Sequence, residues 1–422
     1  MRQVLAIAIA TLLTVALFVP SGHAVAAFGQ RSGQGVRSTG ESATTPFVFL
    51  RGEEALGVPF RIVDGLIVFS ALLNDSTPVD LFLDTGFGSK GIVLFDPEMG
   101  AKLGLQYVAE VSLGGGGSEG APTARVATGA KLSLPGISFP RQQLLVMPGD
   151  QVFSDLAADG IVGGSLFDCV VEIDYDNSVL NLYKEVPKSV VRSSERFALS
   201  FSQGIPVVEA EVGLSGKKTI PVKLLVETGA GLPLFLFTYS HPAISVPPHS
   251  ITARSEGMNG TLTFSAGRVP RLKVGRFVFE DMVTAFMDEN AMGTAVGLGQ
   301  NGFLGHETLQ MFNVVLDYPR AHMYLRPGKT YGKGYDLNMA GLVYKTNRDG
   351  TLDVFDVIHD SPAERAGMRA GDLIVAINGM NAISISPADV EALFVQEGKK
   401  VKLTVERDSK RIDFTLSLRR II

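Results

Sequence analysis

From about residue 47 the chain is written in short apolar or alternating runs separated by Gly and Pro, such as Gly65-Leu66-Ile67-Val68-Phe69, Val79 to Leu83, Gln143 to Met147 and Val170 to Tyr175. Runs of this length with period-two alternation are the mark of strands, and Gly and Pro punctuate the turns between them. Segments with a helical period are scarce until about residue 360. The pattern predicts a mainly β body.

The pattern also repeats. Val79-Asp80-Leu81-Phe82-Leu83-Asp84-Thr85-Gly86-Phe87-Gly88 aligns with Val222-Lys223-Leu224-Leu225-Val226-Glu227-Thr228-Gly229-Ala230-Gly231 at an offset of 227 − 84 = 143. Gly114 and Gly117 match Gly257 and Gly260 at the same offset, and GIVGGSLFDCVVEIDYDNSVLNLY from Gly160 matches GFLGHETLQMFNVVLDYPRAHMYL from Gly302 at 142. Three landmarks in one order with nearly one spacing predict an internal duplication of a β unit, over 47–187 and 195–328.

Composition narrows the setting. The 422 residues are 45% hydrophobic and 19% charged, enough to bury more than one core. A net charge of −5 from interspersed acids and bases offers no basic stripe, so nucleic acid is not an expected partner. Cys169 is the one cysteine, which excludes an internal disulfide and a Cys-based zinc site. Met1-Arg2, an apolar run from Val4 to Val19 and the small-residue pattern Ala24-Val25-Ala26 read as a signal peptide over 1–26. The run is shorter than the roughly 20 residues a spanning helix needs, so no stable membrane anchor is expected after cleavage, and the style of the signal suggests a bacterial periplasm or secretion. Residues 27–46, rich in Gly, Ser, Thr and Arg, read as a flexible lead-in.

The candidate chemistry sits in Leu81 to Gly91. Gly86, Gly88 and Gly91 spell the G-x-G-x-x-G outline of a dinucleotide turn, but that turn needs a helix N-terminus behind it. Here Ile92-Val93-Leu94-Phe95 is β-branched and apolar, and the second copy has Leu232-Pro233 and no third glycine. Gly116-Gly117-Ser118-Glu119-Gly120 mimics a nucleophile elbow without the following helix, and His306-Glu307 lacks the second histidine of a zinc-protease motif. The duplicated acid-Thr-Gly loops fit a different chemistry. Two carboxylates facing each other across a near-twofold axis share one proton, so that one activates water while the other polarises a scissile carbonyl. Gly86 and Gly229 permit the tight turns beside Asp84 and Glu227, and Thr85 and Thr228 are placed to hydrogen-bond across the axis. Taken alone, the tripeptide Asp84-Thr85-Gly86 is an ordinary strand-end turn.

On these motifs the two units resemble the retropepsin-like aspartic proteases, fused in one chain in the manner of pepsin's lobes. The family pattern is an apolar pair before D-T-G, a glycine-rich flap, and an apolar pair followed by Gly. It appears as Phe82 to Gly86, Gly114, Gly115, Gly116 and Gly117, and Ile161-Val162-Gly163; the second copy has Leu225 to Gly229, Gly257 to Gly260, and Phe303-Leu304-Gly305. The resemblance implies catalytic roles for Asp84, Glu227, Thr85, Gly86, Thr228 and Gly229, and substrate-covering flaps at Gly114 to Gly117, Gly257 and Gly260. It implies no cofactor and no metal. Two departures stand out: the second acid is Glu227 rather than Asp, and Phe87 replaces a small residue and is expected to crowd the first loop.

Residues 335–422 are similar to bacterial PDZ domains attached to envelope proteases, through Gly341-Leu342-Val343, Ser361 to Met368 and Ala370 to Gly379. Such domains capture a peptide C-terminus as an added strand. By that resemblance the carboxylate loop is Met339, Ala340, Gly341 and Leu342. A helix is predicted from Ser386-Pro387, a cap residue followed by proline, to about Gln396; Val390, Leu393 and Phe394 either line the groove or fill the domain core. The expected function is an exported aspartic endopeptidase acting on polypeptides, with peptide C-termini docking at the PDZ groove. The alternatives are a catalytically inactive peptide-binding adaptor and a homodimer whose lobes pair between chains.

Overall fold

A computed structural model describes residues 15–16, 46–148, 157–214, 218–293 and 299–422. The proposed signal peptide and lead-in lie almost wholly outside the described residues. The molecule is mainly β, built as two lobes and a C-terminal PDZ domain.

The two lobes repeat one local topology around their acids. In lobe 1, Thr77–Leu83 runs parallel to Gly160–Val162, with Leu81 opposite Gly160, and Ile92–Leu94 flanks the other side antiparallel. In lobe 2, Thr219–Glu227 runs parallel to Gly302–Gly305, with Leu224 opposite Gly302, and Leu234–Phe237 flanks it antiparallel. These pairings obey the sequence offsets. Both units close so tightly at the crossing that only glycine fits: a Cβ on Gly160 would lie 1.9 Å from the Val93 carbonyl, and on Gly302 1.8 Å from that of Phe235.

The lobes are joined by a continuous antiparallel sheet. Its hairpins Val170–Asp174/Val179–Tyr183 and Phe312–Asp317/His322–Pro327 meet edge to edge, with Glu172 opposite Val315 and Ile173 opposite Val314. Adding 142 to one member of a pair and subtracting it from the other turns each pair into its neighbour, so the twofold axis passes through this junction. One hydrophobic cluster runs beneath both lobes, from Phe69 and Leu83 through Val171 and Leu316 to Val226 and Leu304.

Among the described residues the chain makes four short helices ahead of the PDZ domain, Pro97–Lys102, Lys188–Ser193, Glu289–Met292 and His306–Leu309. The first is started by Asp96, whose carboxylate accepts from the Glu98 N–H with Pro97 at the first helical position. The PDZ sheet runs in the order Leu342–Thr346, Leu352–Val357, Leu373–Ile377, Lys400–Arg407, Lys410–Ser417, so Leu342–Thr346 is an edge strand. Its groove helix spans Pro387–Phe394, with Ser386 Oγ accepting from the Asp389 N–H. Val390 and Phe394 are fully buried in the domain core and Leu393 packs at its margin.

Candidate active site

Each acid ends a buried strand and is held by a turn that the next two residues dictate. The Asp84 N–H donates to the Val162 carbonyl at 3.0 Å, anchoring the loop to the crossing strand. The loops then lock to each other through the threonines. The Thr85 N–H donates to Thr228 Oγ1 at 3.0 Å and the Thr228 N–H donates to Thr85 Oγ1 at 2.9 Å. Each hydroxyl reaches on across the axis, Thr85 to the Val226 carbonyl at 2.7 Å and Thr228 to the Leu83 carbonyl at 2.8 Å. Both threonines are buried, so these four bonds act without competition from water.

The carboxyls meet between the loops. The Gly86 N–H donates to Asp84 Oδ1 at 2.8 Å and also to Glu227 Oε1 at 3.1 Å, while the Gly229 N–H donates to Glu227 Oε1 at 2.9 Å. The Phe87 N–H adds a longer bond to Asp84 Oδ1 at 3.3 Å. Each carboxyl lies over the opposite loop's glycine. A Cβ on Gly229 would sit 2.8 Å from the Asp84 carboxylate, and a Cβ on Gly86 would sit 1.7 Å from Glu227 Oε2. Burial pushes the Glu227 carboxyl well above the usual carboxylate range, reinforced by the Asp84 charge and by a hydrogen bond between the two side chains.

Phe87 closes the first acid loop, its N–H donating to the Asp84 carbonyl at 3.2 Å. Its ring is fully buried in a cluster with Val93, Ile161 and Ala230, and its carbonyl accepts from the Gly164 N–H at 2.8 Å. Tyr318, which the sequence reading passed over, lies close enough for the charges of Glu227 and Asp84 to add to the burial that raises its phenol well above its ordinary range. It sits in the turn after Phe312–Asp317 and stacks on Phe167 with ring centroids 4.3 Å apart. No motif marks that turn.

The glycine-rich segments close on each other. Gly257 and Gly260 pair across the two-residue turn Met258-Asn259, and Gly114 to Gly117 form the start of a longer loop closed by the Leu113 N–H on the Pro122 carbonyl. The Asn259 N–H donates to the Gly116 carbonyl at 2.9 Å, Asn259 Nδ2 to the Gly115 carbonyl at 3.0 Å, and the Glu119 N–H to the Asn259 carbonyl at 2.8 Å. A Cβ on Gly257 would meet the Gly116 carbonyl at 2.3 Å, so the close approach needs glycine there. A cavity of about 280 Å³ opens beside the joined tips, lined by Glu119, Pro122, Glu256 and Met258 among others. Asp84 and Glu227 are each only 1% exposed, so the structure is a closed form.

In the PDZ domain, Met339, Ala340, Gly341 and Leu342 are all buried and the loop amides are engaged within the chain. The Met339 N–H donates to the Phe394 carbonyl at 2.9 Å, that of Ala340 to Asn338 Oδ1 at 2.9 Å and that of Gly341 to the Asn338 carbonyl at 3.0 Å. In this form the loop offers a carboxylate none of these three donors.

Residues 354–407 match the PDZ domain family, and the C-terminal domain is a PDZ domain. The chain is 35% identical over 88 residues to the Haemophilus influenzae protein described as "Probable periplasmic serine protease do/HhoA-like", covering 20% of this chain and 19% of the relative. It is 37% identical over 78 residues to a Chlamydia trachomatis "Probable periplasmic serine endoprotease DegP-like", covering 18% of this chain and 16% of the relative. The chain thus spans under a fifth of the length of either relative, and the likeness falls in the PDZ region. Among solved structures, the aspartic proteinase from Irpex lacteus aligns over 67% of this chain and 100% of its own, with a TM-score of 0.43 and 14% identity.

Proposed function

We propose that this chain is an exported endopeptidase of the aspartic type, with a PDZ domain that docks peptide C-termini. The observation that carries the reading is the pair of acid-Thr-Gly loops locked by reciprocal threonine hydrogen bonds, with the Glu227 carboxyl raised by burial and by the Asp84 beside it. Glu227 keeps the shared proton and Asp84 is the base. Water entering between them gives a proton to Asp84 as its oxygen bonds to the scissile carbonyl carbon, and the Glu227 proton passes to the carbonyl oxygen. Collapse of the tetrahedral intermediate breaks the C–N bond: the departing nitrogen takes the proton held by Asp84, and one hydroxyl of the diol returns its proton to Glu227 as the carboxylic acid forms, which restores the starting pair. Thr85 and Thr228 position the loops, and the flaps exclude water once substrate is in place.

Export rests on the apolar segment Val4 to Val19 with its Ala24-Val25-Ala26 boundary, and agrees with the periplasmic description of the two relatives. Among the described residues no helix is long and apolar enough to cross a membrane. The second reading, a catalytically inactive adaptor, is favoured by the closed flaps and by the nonstandard second acid. Incubation of the full chain with an unfolded polypeptide, with and without pepstatin, separates them: fragments that vanish with pepstatin are expected, and an intact polypeptide at every pH supports the adaptor.

A further inference from the structure

The PDZ edge strand Leu342–Thr346 has one strand neighbour, Leu352–Val357, so donors on its other side face the groove in which a peptide strand would pair. One of those donors is already taken. The Thr346 N–H donates to Asp64 Oδ2 at 3.0 Å and its hydroxyl donates to Asp64 Oδ1 at 2.8 Å, a bidentate grip on a carboxylate from a residue 282 positions away. Asp64 is the hairpin turn between Glu54–Val63 and Leu66–Leu73 of lobe 1, with a left-handed φ of 49°, and is only 9% exposed. From the opposite wall of the groove, the charge of Asp64 adds to the burial that raises the Glu391 carboxyl on the helix Pro387–Phe394. Asp64 therefore sits on the free edge of Leu342–Thr346, where a peptide strand would pair. A cavity of about 320 Å³, lined by Thr346, Leu352, Pro387 and Val390 among others, continues the groove past it.

The same docking grips the stem of the second flap. Ser250–Gly257 runs directly into the Met258-Asn259 tip, and on it Arg254 pairs with Asp356 at 2.8 Å and Glu256 with Lys345 at 2.5 Å. Arg348 reaches Asp159 at 2.9 Å and the Ala158 carbonyl at 2.8 Å, just before the strand Gly160–Val162 that crosses behind Asp84. Val343 and Ile358 share one buried cluster with Val63 and Leu66 of the hairpin and Met258 of the flap.

We propose that the Asp64 turn is an internal ligand of the PDZ groove, so that an incoming polypeptide C-terminus must displace Asp64 from Thr346 and in doing so loosens the PDZ grip on the second flap. The inference rests on the proposed peptide docking and adds that capture and lobe docking exclude each other. A site whose competent form is a minor population binds with an affinity reduced by that fraction. Removing the internal ligand restores it.

The test uses the full chain and a pool of fluorescein-labelled decapeptides with free C-termini ending in Val, Leu, Phe or Ala, read by anisotropy. Asp64→Gly deletes the carboxylate while keeping a residue that favours the left-handed turn. It is expected to bind the pool at least about tenfold more tightly than wild type. Asp64→Cys/Thr346→Cys, oxidised, is expected to lose capture and to regain it on reduction. Hydrogen exchange across 342–346 checks that Asp64→Gly is folded and that the strand edge has opened. Equal capture by wild type and Asp64→Gly, or undiminished capture by the oxidised double variant, overturns the proposal alone. A folded, opened Asp64→Gly that captures no peptide overturns it together with peptide docking, and leaves the reading of the acids untouched.

Discussion

The two acid loops are the same in sequence pattern, topology and threonine bonding, yet they differ in what lies over their glycines. Over Gly229 sits a short aspartate whose carboxyl would be 2.8 Å from an added Cβ; over Gly86 sits a glutamate whose oxygen would be 1.7 Å from one. The extra methylene of Glu227 is taken up by reaching across the axis, where Oε1 accepts from its own Gly229 N–H and from the Gly86 N–H of the other loop. Asp84 Oδ1 instead accepts from its own Gly86 and Phe87. The lesson is that a duplicated site tolerates an unequal pair when one loop is built around the longer side chain, and that its tolerance to further change then becomes unequal.

The largest expected effect tests that inequality. Gly86→Ala drives a methyl into the Glu227 carboxyl and is expected to lower kcat at least about a thousandfold, whereas Gly229→Ala, with an ångström more room, is expected to lose nearer tenfold. Equal losses would show that the loops are interchangeable. Glu227→Asp comes next. Shortening the acid withdraws it from Gly86 and from Asp84, and a fall in kcat of about a hundredfold is expected; a rise would mean that the loop is not adapted to glutamate.

The threonines form the symmetric half of the comparison. Thr85→Val and Thr228→Val each remove a hydroxyl that accepts one buried bond and donates another. Both are expected to lower unfolding free energy by about 2 kcal/mol, and by equal amounts, in urea titrations. Unequal losses would break the symmetry where the structure keeps it.

The smallest effect concerns pH. Burial raises Asp64 to about 6 and Glu391 to about 8, and pushes Glu307 upward, so the folded chain holds protons that the unfolded chain has lost. Stability from such groups is fully present below their unfolded values and declines as pH rises through about 6 for Asp64 and about 8 for Glu391. Unfolding free energy, and Tm with it, is therefore expected to fall between about pH 4 and pH 8, by up to about 3 kcal/mol for Asp64 and less for the partly exposed Glu391. Asp64→Asn should flatten the lower part of that slope. A Tm that climbs over the whole range would contradict these assignments.

The repeat was readable because its constraints are local. An acid-Thr-Gly turn at a strand end, and a glycine where a Cβ would strike a crossing carbonyl, leave the same letters at the same spacing in both units. The helix at Pro387–Phe394 was readable for the same reason, since Ser386 and Pro387 write its cap. Asp96-Pro97 carried an equal signal for Pro97–Lys102 that the surrounding strand pattern masked. Asp64 could not be found this way. An aspartate in a left-handed hairpin turn is ordinary, and its partner Thr346 lies in another domain. Nor does the sequence of Met339 to Leu342 reveal that Asn338 and Phe394 take up three of the loop's amides, because those bonds depend on how the loop closes on its own domain.

The central claim is that two unlike carboxyls hold one proton between them and use it to cleave peptides. The pH dependence of kcat/KM on an unfolded polypeptide, for wild type and for Asp84→Asn, tests it most directly. A shared proton titrates as a pair with two separated apparent pKa values, so the wild-type profile is expected to be a bell on the acid side of neutrality, absent in a folded Asp84→Asn. A rate that climbs steadily into alkaline pH, or that Asp84→Asn leaves unchanged, would contradict it.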